Sequence, residues 1–174
     1  MRSSRRGAWY VCAANVLLQN NPKHRIAGQG TYNNWRLIGK YAVTRSMASG
    51  SGCLNIHKKE YAKDLLEEIG VDSGKLPELV DYNETFPLTE DGAKLLGVTP
   101  GTPVLLSNPD GAMNQTGSGG LKSGVMTVSV GTSSALRMSV ANAVLPEEPH
   151  TWCYLSPKGY LAGAAISGGC SSIE

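Results

Sequence analysis

Apolar residues recur at helical spacing between Lys59 and Ile69, where Tyr61, Leu65, Leu66 and Ile69 share one face and Lys63, Asp64, Glu67 and Glu68 take the other. The spacing predicts an amphipathic helix that Gly70 stops. Its acids read as a solvated face rather than a metal site. A second, shorter helix is expected over Leu88 to Leu96, started by Thr89. Later the period falls to two. Met126, Val128 and Val130 alternate with Thr127 and Ser129, the pattern of a half-buried strand, and Ala135 to Val140 reads as its hairpin partner. LPELV (76–80) reads as an extended connection, and PVLLS (103–107), launched by the turn GVTPGTP, as a buried strand. After the loop LPEEPH, TWCYLS and YLAGAAIS are expected to supply a third strand that runs into Gly168, Gly169 and a helix reaching Glu174.

Two of these strand ends carry candidate chemistry. PVLLS delivers Asp110 just past its carboxyl end, where α/β proteins place ligand groups, and a small-residue helix start, Gly111 to Gly119, follows. The strand ending at Val130 delivers Gly131, Thr132, Ser133 and Ser134, and a turn built of glycine and hydroxyl residues exposes consecutive backbone N–H groups to an anion. Taken alone, Asp before Gly also reads as a turn former, and GTSS as a plain hairpin turn.

Other candidates are weaker. Ser46, Ser49 and Ser51 have no base placed for them and read as a polar loop with helix caps, and His24, His57 and His150 have no triad partners in view. A hydrolase built on Ser133 or Ser134 lacks a base and the nucleophile elbow. Cys12, Cys53, Cys153 and Cys170 form no CxxC pair and read as reduced, mostly buried thiols. The opening MRSSRR and AWYVCAANVLL has the charge order of a signal peptide, but the apolar part is short and broken by Asn15.

Composition narrows the classes. A net charge of +2 with 17% charged residues leaves no footprint for nucleic acid or an anionic membrane. No apolar run nears the roughly 18 residues that span a bilayer, so a soluble, cytoplasmic protein is expected.

From about Thr31 to Glu174 the chain resembles the FGGY family of carbohydrate kinases. The resemblance is carried by YAVTRSMASGSGCLNIH (41–57), KLPELVD (75–81), GVTPGTPVLLSNPDGAMNQTGSG (97–119), VMTVSVGTSSALRM (125–138) and YLAGAAISGGCSSIE (160–174), in the family's order. One departure is Ile38, which stands where the family has Thr in a Leu-Thr-Gly turn.

The resemblance implies an α/β, actin-like ATPase (ribonuclease H-like) fold, of which the chain holds the end of the first domain and the opening half of the second. Residues 1–30 stay unmatched, 31–122 fall to the sugar-binding domain and 123–174 to the nucleotide-binding domain, with the linker GGLKSG (119–124) at the division. The implied activity is phosphoryl transfer from ATP, with Mg²⁺, to a hydroxyl of a sugar or sugar acid, gluconate first and xylulose or another pentulose next. Asp110 matches the family's catalytic base, which also fixes the substrate. Gly131, Thr132 and Ser133 match the phosphate-contacting turn, and Gly168 and Gly169 the nucleotide approach. No metal ligand is expected beyond an Mg²⁺-linked contact at Asp110. The family's amino-terminal Asp-Gly-Thr motif and its adenosine-binding segment have no counterpart here, so little turnover is expected of this chain alone. The alternative is a non-catalytic module that forms a homodimer through an open sheet edge.

Overall fold

The computed structural model describes residues 25–147 and 151–170. They fall into two compact units that divide between Asn108 and Pro109, the first holding residues 25–108 and the second 109–147 and 151–170. The division comes just ahead of Asp110, earlier in the chain than the 119–124 linker.

In the first unit, helix α1 (Gln29–Ile38) ends at Gly39, whose φ of 72° is a left-handed cap that glycine adopts without strain. The chain then enters β1 (Ala42–Thr44), which pairs in parallel with β4 (Glu78–Val80), the segment expected to be extended. Between them lie α2 (Arg45–Ser49), the hairpin of β2 (Leu54–Asn55) and β3 (Glu60–Tyr61), α3 (Lys63–Glu68) and a 3-10 turn, Ser73–Lys75. Ile38, Ala42, Val80 and Leu106 bury together, with Leu37, Phe86 and Val104 packed around them. A second cluster joins Cys53, Leu66 and Val71.

The helix expected from Lys59 starts only at Lys63. Asn55 Oδ1 accepts the N–H groups of His57 and Lys58, and Lys59 takes a left-handed φ of 57°, which closes a tight turn. Tyr61 then serves β3, its hydroxyl donating to the Pro77 carbonyl at 2.8 Å. An apolar residue at helical spacing was thus used by a strand.

Helix α4 (Glu90–Leu96) forms where expected. The Thr89 hydroxyl accepts the Gly92 N–H at 3.0 Å and donates to the Leu37 carbonyl at 2.9 Å, and Glu90 and Asp91 sit in the positive first turn. Strand β5 (Thr85–Pro87) pairs antiparallel with β6 (Pro103–Leu105). Beyond β6, Ser107 is tied down by Thr44 Oγ1, which donates to its carbonyl at 3.0 Å, and by Asn34 Nδ2, which donates to its hydroxyl at 3.2 Å.

The second unit sets helix α5 (Asp110–Gly117) against a four-stranded antiparallel sheet in the order β7-β8-β10-β9. These strands are β7 (Met126–Val130), β8 (Ser134–Val140), β9 (Trp152–Ser156) and β10 (Gly159–Ile166). One sequence expectation is corrected here. TWCYLS and YLAGAAIS are two strands rather than parts of one, because the chain reverses through Pro157 and Lys158 to Gly159, whose φ of 112° requires glycine. β10 then lies between β8 and β9. The helix expected to reach Glu174 falls on residues 171–174, outside those described.

Pairing fixes which side chains share a face. Thr127 opposes Arg137, Arg137 opposes Gly163, and Gly163 opposes Trp152, a row that crosses all four strands. Near it Gln115 of α5, fully buried, donates to the carbonyls of Gly120 and Val125 and to Ser139 Oγ, and accepts the Thr127 hydroxyl. The other face leaves Met126, Val128, Val130, Leu136 and Ile166 exposed. Among the described residues no helix is long and apolar enough to cross a membrane.

Candidate functional site

Asp110 is the first residue of α5 and is exposed. Its carboxylate accepts the N–H of Gly111 at 2.6 Å, at the end of the helix where backbone donors are unpaired and the dipole is positive. What lies under that first turn explains the glycine that follows. A side-chain carbon on Gly111 would sit 2.6 Å from Arg137 Nε and 2.8 Å from the Tyr154 hydroxyl, so a larger residue would have to displace both side chains from the helix start.

Arg137 is half-buried on β8, and its Nη1 donates to Ser129 Oγ at 2.8 Å. Its Nε is buried and has no hydrogen-bond partner among the described residues. Tyr154 is stacked on Trp152, ring centroids 4.8 Å apart and planes inclined by 20°. The Trp152 ring in turn lies over Gly163, where a side-chain carbon would come within 2.5 Å of it. Burial pushes the Tyr154 phenol above its ordinary range; Arg137 beside it pulls the other way, and the Asp110 charge adds to the rise. A carboxylate, a guanidinium and a phenol therefore converge on the start of α5.

The bend at 131–133 closes the β7–β8 hairpin, with the Gly131 N–H donating to the Ser133 carbonyl at 3.1 Å. The chain beyond β10 returns to it. Gly169 N–H donates to the Thr132 carbonyl at 3.1 Å and Cys170 N–H to the Gly131 carbonyl at 2.9 Å. Gly169 comes so close that a side-chain carbon would lie 1.9 Å from Ser134 Oγ. The carbonyls are thereby turned toward 169–170, while the N–H groups of Thr132 and Ser133, both exposed residues, find no partner among the described residues. Consecutive open donors flanked by hydroxyls are a fitting cradle for phosphate oxygens.

Gly131, Thr132 and Gly169 are thus in direct contact, with Ser133 and Gly168 next to them in the chain. Asp110 makes no hydrogen bond to the bend among the described residues; Arg137, on which Gly111 lies, donates to Ser129, two residues ahead of Gly131. Two recesses of the first unit, one lined by Leu66, Glu67 and Val71 and the other by Arg36, Asp91 and Lys94, include none of these residues. Among the described residues no three His, Cys, Asp or Glu side chains gather as metal ligands. Arg137 and Tyr154 were missed in the sequence. Their signal was a charged residue on the side of β8 that also carries Ala135 and Ser139, in a hairpin read as a half-buried pair.

Comparison with known proteins agrees with this fold. Residues 18–117 match the amino-terminal domain of the FGGY family of carbohydrate kinases. The gluconokinase of Bacillus subtilis (strain 168) is 27% identical over 136 residues, covering 77% of this chain and 26% of that protein. The L-fuculokinase of Salmonella typhi is 28% identical, covering 74% of this chain and 28% of that protein. Among solved structures, the gluconate kinase from Lactobacillus acidophilus superposes with a TM-score of 0.79 at 27% identity, covering 87% of this chain and 32% of the other. The ligand-bound xylulose kinase from the same organism gives 0.81 at 25% identity, covering 91% and 34%. The chain therefore spans about a quarter of the length of the curated relatives it matches. With its helices and sheets arranged as an α/β, actin-like ATPase fold and its sequence matching over more than half its length, the chain belongs to the FGGY family of carbohydrate kinases.

Proposed function

We propose that this chain supplies the base and the phosphate-binding bend of a sugar kinase that moves the terminal phosphoryl group of ATP to a hydroxyl of a sugar or sugar acid. The observation that carries this reading is an exposed carboxylate at a helix start, Asp110, in the same compact unit as a bend with two open backbone donors. Asp110 takes the proton of the attacking hydroxyl, for which its carboxylate must come within roughly 2.6–3.2 Å of that oxygen. Thr132 and Ser133 hold phosphate oxygens through N–H and hydroxyl groups, and Gly168 and Gly169 let the nucleotide approach closely. Preorganised donors of this kind carry much of the barrier reduction in phosphoryl transfer.

ATP, when bound, supplies the transferable phosphoryl group, and the open donors at 132 and 133 fit its oxygens. Mg²⁺ fits less well. Asp110 is a lone carboxylate, no ligand cluster surrounds it among the described residues, and octahedral Mg²⁺ is held by carboxylates together with substrate phosphates, so no step is assigned to the metal. Gluconate is the preferred substrate and xylulose the next, which follows the names of similar proteins. The division of the parent enzyme at 122/123, into sugar-binding and nucleotide-binding domains, belongs to the same proposal.

An NMR titration tests the reading. ATP should shift the amides of Thr132, Ser133 and Gly169, and gluconate the Asp110 carboxyl carbon; no response at either place would overturn it.

The exposed apolar row of β7, Met126, Val128 and Val130, lies on a strand with one edge unpaired among the described residues and favours a second reading, a homodimer through that edge. Light scattering separates the two: a stable dimer that ATP leaves unperturbed supports the module.

A further inference from the structure

Burying a guanidinium costs free energy unless its charge and its donors are met. Arg137 meets few of these terms. Its Nη1 reaches a neutral serine, Ser129, its side-chain hydrogen bond to Tyr154 reaches a phenol rather than an acid, its Nε is buried without a partner among the described residues, and the ion pairs found among them, Lys40 with Glu78 and Arg45 with Asp81, do not include it. A half-buried cation whose hydrogen bonds go to neutral groups and not to an acid calls for an explanation. The acid joined to this contact is Asp110, whose carboxylate accepts the N–H of Gly111, the residue that lies on Arg137 Nε.

The local geometry says how the cation could matter. Gly111 rests on Arg137 Nε and the Tyr154 hydroxyl, at distances that a side-chain carbon could take only by displacing them, and the N–H of the same Gly111 holds the Asp110 carboxylate at 2.6 Å. Any change in the floor is passed by one peptide unit to that carboxylate. The floor is itself fixed from three sides. Ser129 on β7 holds Nη1, Trp152 stacks on Tyr154, and Gly163 lets the Trp152 ring lie flat across β10.

We infer that Arg137, supported by Tyr154, is the positioning residue of Asp110: it seats the first turn of α5 and holds the carboxylate in one rotamer by charge and by contact through Gly111. The inference rests on reading Asp110 as the base, and it adds a residue that does not itself touch the substrate.

Three-bond couplings to Asp110 Cγ, measured by NMR on this chain, test it. The unmodified chain and R137K, which keeps the cation, should show one Asp110 rotamer. R137M, which keeps the apolar stem and removes the charge, should show averaged couplings while its far-UV circular dichroism stays the same. Y154F, which keeps the ring stack, should show partial averaging and decides the question if R137M fails to fold. Averaged couplings in the unmodified chain, or a single rotamer retained in R137M or, failing that variant, in Y154F, would overturn the inference. Adding gluconate separates the two ideas. Couplings that average in R137M while gluconate shifts no carboxyl signal in the unmodified chain would uphold the positioning role and remove the base.

Discussion

At the scale of single residues, close approach decides more than propensity. Gly92 lies inside α4, where alanine would ordinarily gain about 1 kcal/mol of helix stability. Yet a side-chain carbon there would sit 2.3 Å from the Leu37 carbonyl oxygen and 3.0 Å from the Leu37 Cα, rigid backbone that cannot turn aside. Gly92→Ala is therefore expected to lower stability by about 1–3 kcal/mol. A fall in the urea midpoint at unchanged slope checks it, and a rise would show that α1 and α4 separate easily. Tyr61 permits a signed pH prediction. Burial chiefly, with Tyr41 and Cys53 nearby, pushes its phenol well above its ordinary value of 10.0. The folded state thus holds this proton more tightly than the unfolded chain. Its contribution is fully present below pH 10 and is lost as pH rises beyond that value. Urea midpoints at about pH 9 and about pH 11 should differ, and Y61F should narrow the difference without abolishing it, since burial raises Tyr41 as well. Asp110 and the 131–133 bend could be picked out in the sequence because acids after strands and glycine-hydroxyl turns are local patterns. Arg137 could not, since the helix start it supports is a distant neighbour in sequence and the contact passes through a glycine that offers no side chain to read.

At the scale of elements, period and punctuation predicted most of what formed. Thr89 starts its helix, and Met126 to Val130 pairs with the strand that follows. The misses share one cause: a turn that the periodicity overlooks. Asn55 and Lys59 shape a hairpin that takes Tyr61 away from the expected helix, and Gly159 folds one expected strand into two. The placement of α5 on its sheet was also illegible, because it depends on a buried amide. Gln115 reads as an ordinary helical residue, yet it is fully buried and bonds to β8, to the Thr127 hydroxyl and to the chain leading into β7. Gln115→Leu should leave helix propensity almost unchanged. The Gly120 and Val125 carbonyls each keep another donor, from the Ser139 hydroxyl and the Ser139 N–H. The loss then falls mainly on the half-buried Thr127 hydroxyl, left without its acceptor, and since a fully buried orphan costs about 1–3 kcal/mol, a cost of about 1 kcal/mol is expected. Denaturant unfolding followed by the fluorescence of Trp152 checks this; an unchanged midpoint would mean that water takes the place of the amide.

At the scale of the whole molecule, a candidate base and a candidate cradle do not by themselves make a turnover cycle. Phosphoryl transfer depends on holding donor and acceptor in line while charge on the moving group is neutralised. The candidate site offers the exposed carboxylate of Asp110 and two open N–H donors, and among the described residues no metal ligands gather, in a chain about a quarter as long as its curated relatives. A general base contributes about 10²–10⁴-fold, which cannot replace the positioning of both substrates. Residues 1–174 alone are therefore expected to release ADP with gluconate or xylulose at least about a hundredfold more slowly than the roughly 10 s⁻¹ typical of enzymes. A coupled ADP-release assay measures this directly, and Asp110→Asn interprets it. If sugar-dependent turnover reaches the enzyme range and Asp110→Asn removes it, the chain holds a complete site and the expectation of slow turnover fails. If turnover is slow while ATP still moves the Thr132 and Ser133 amides, the chain carries the phosphate cradle of a kinase whose in-line geometry depends on groups beyond those described, and binding and catalysis separate in the way the two open donors suggest.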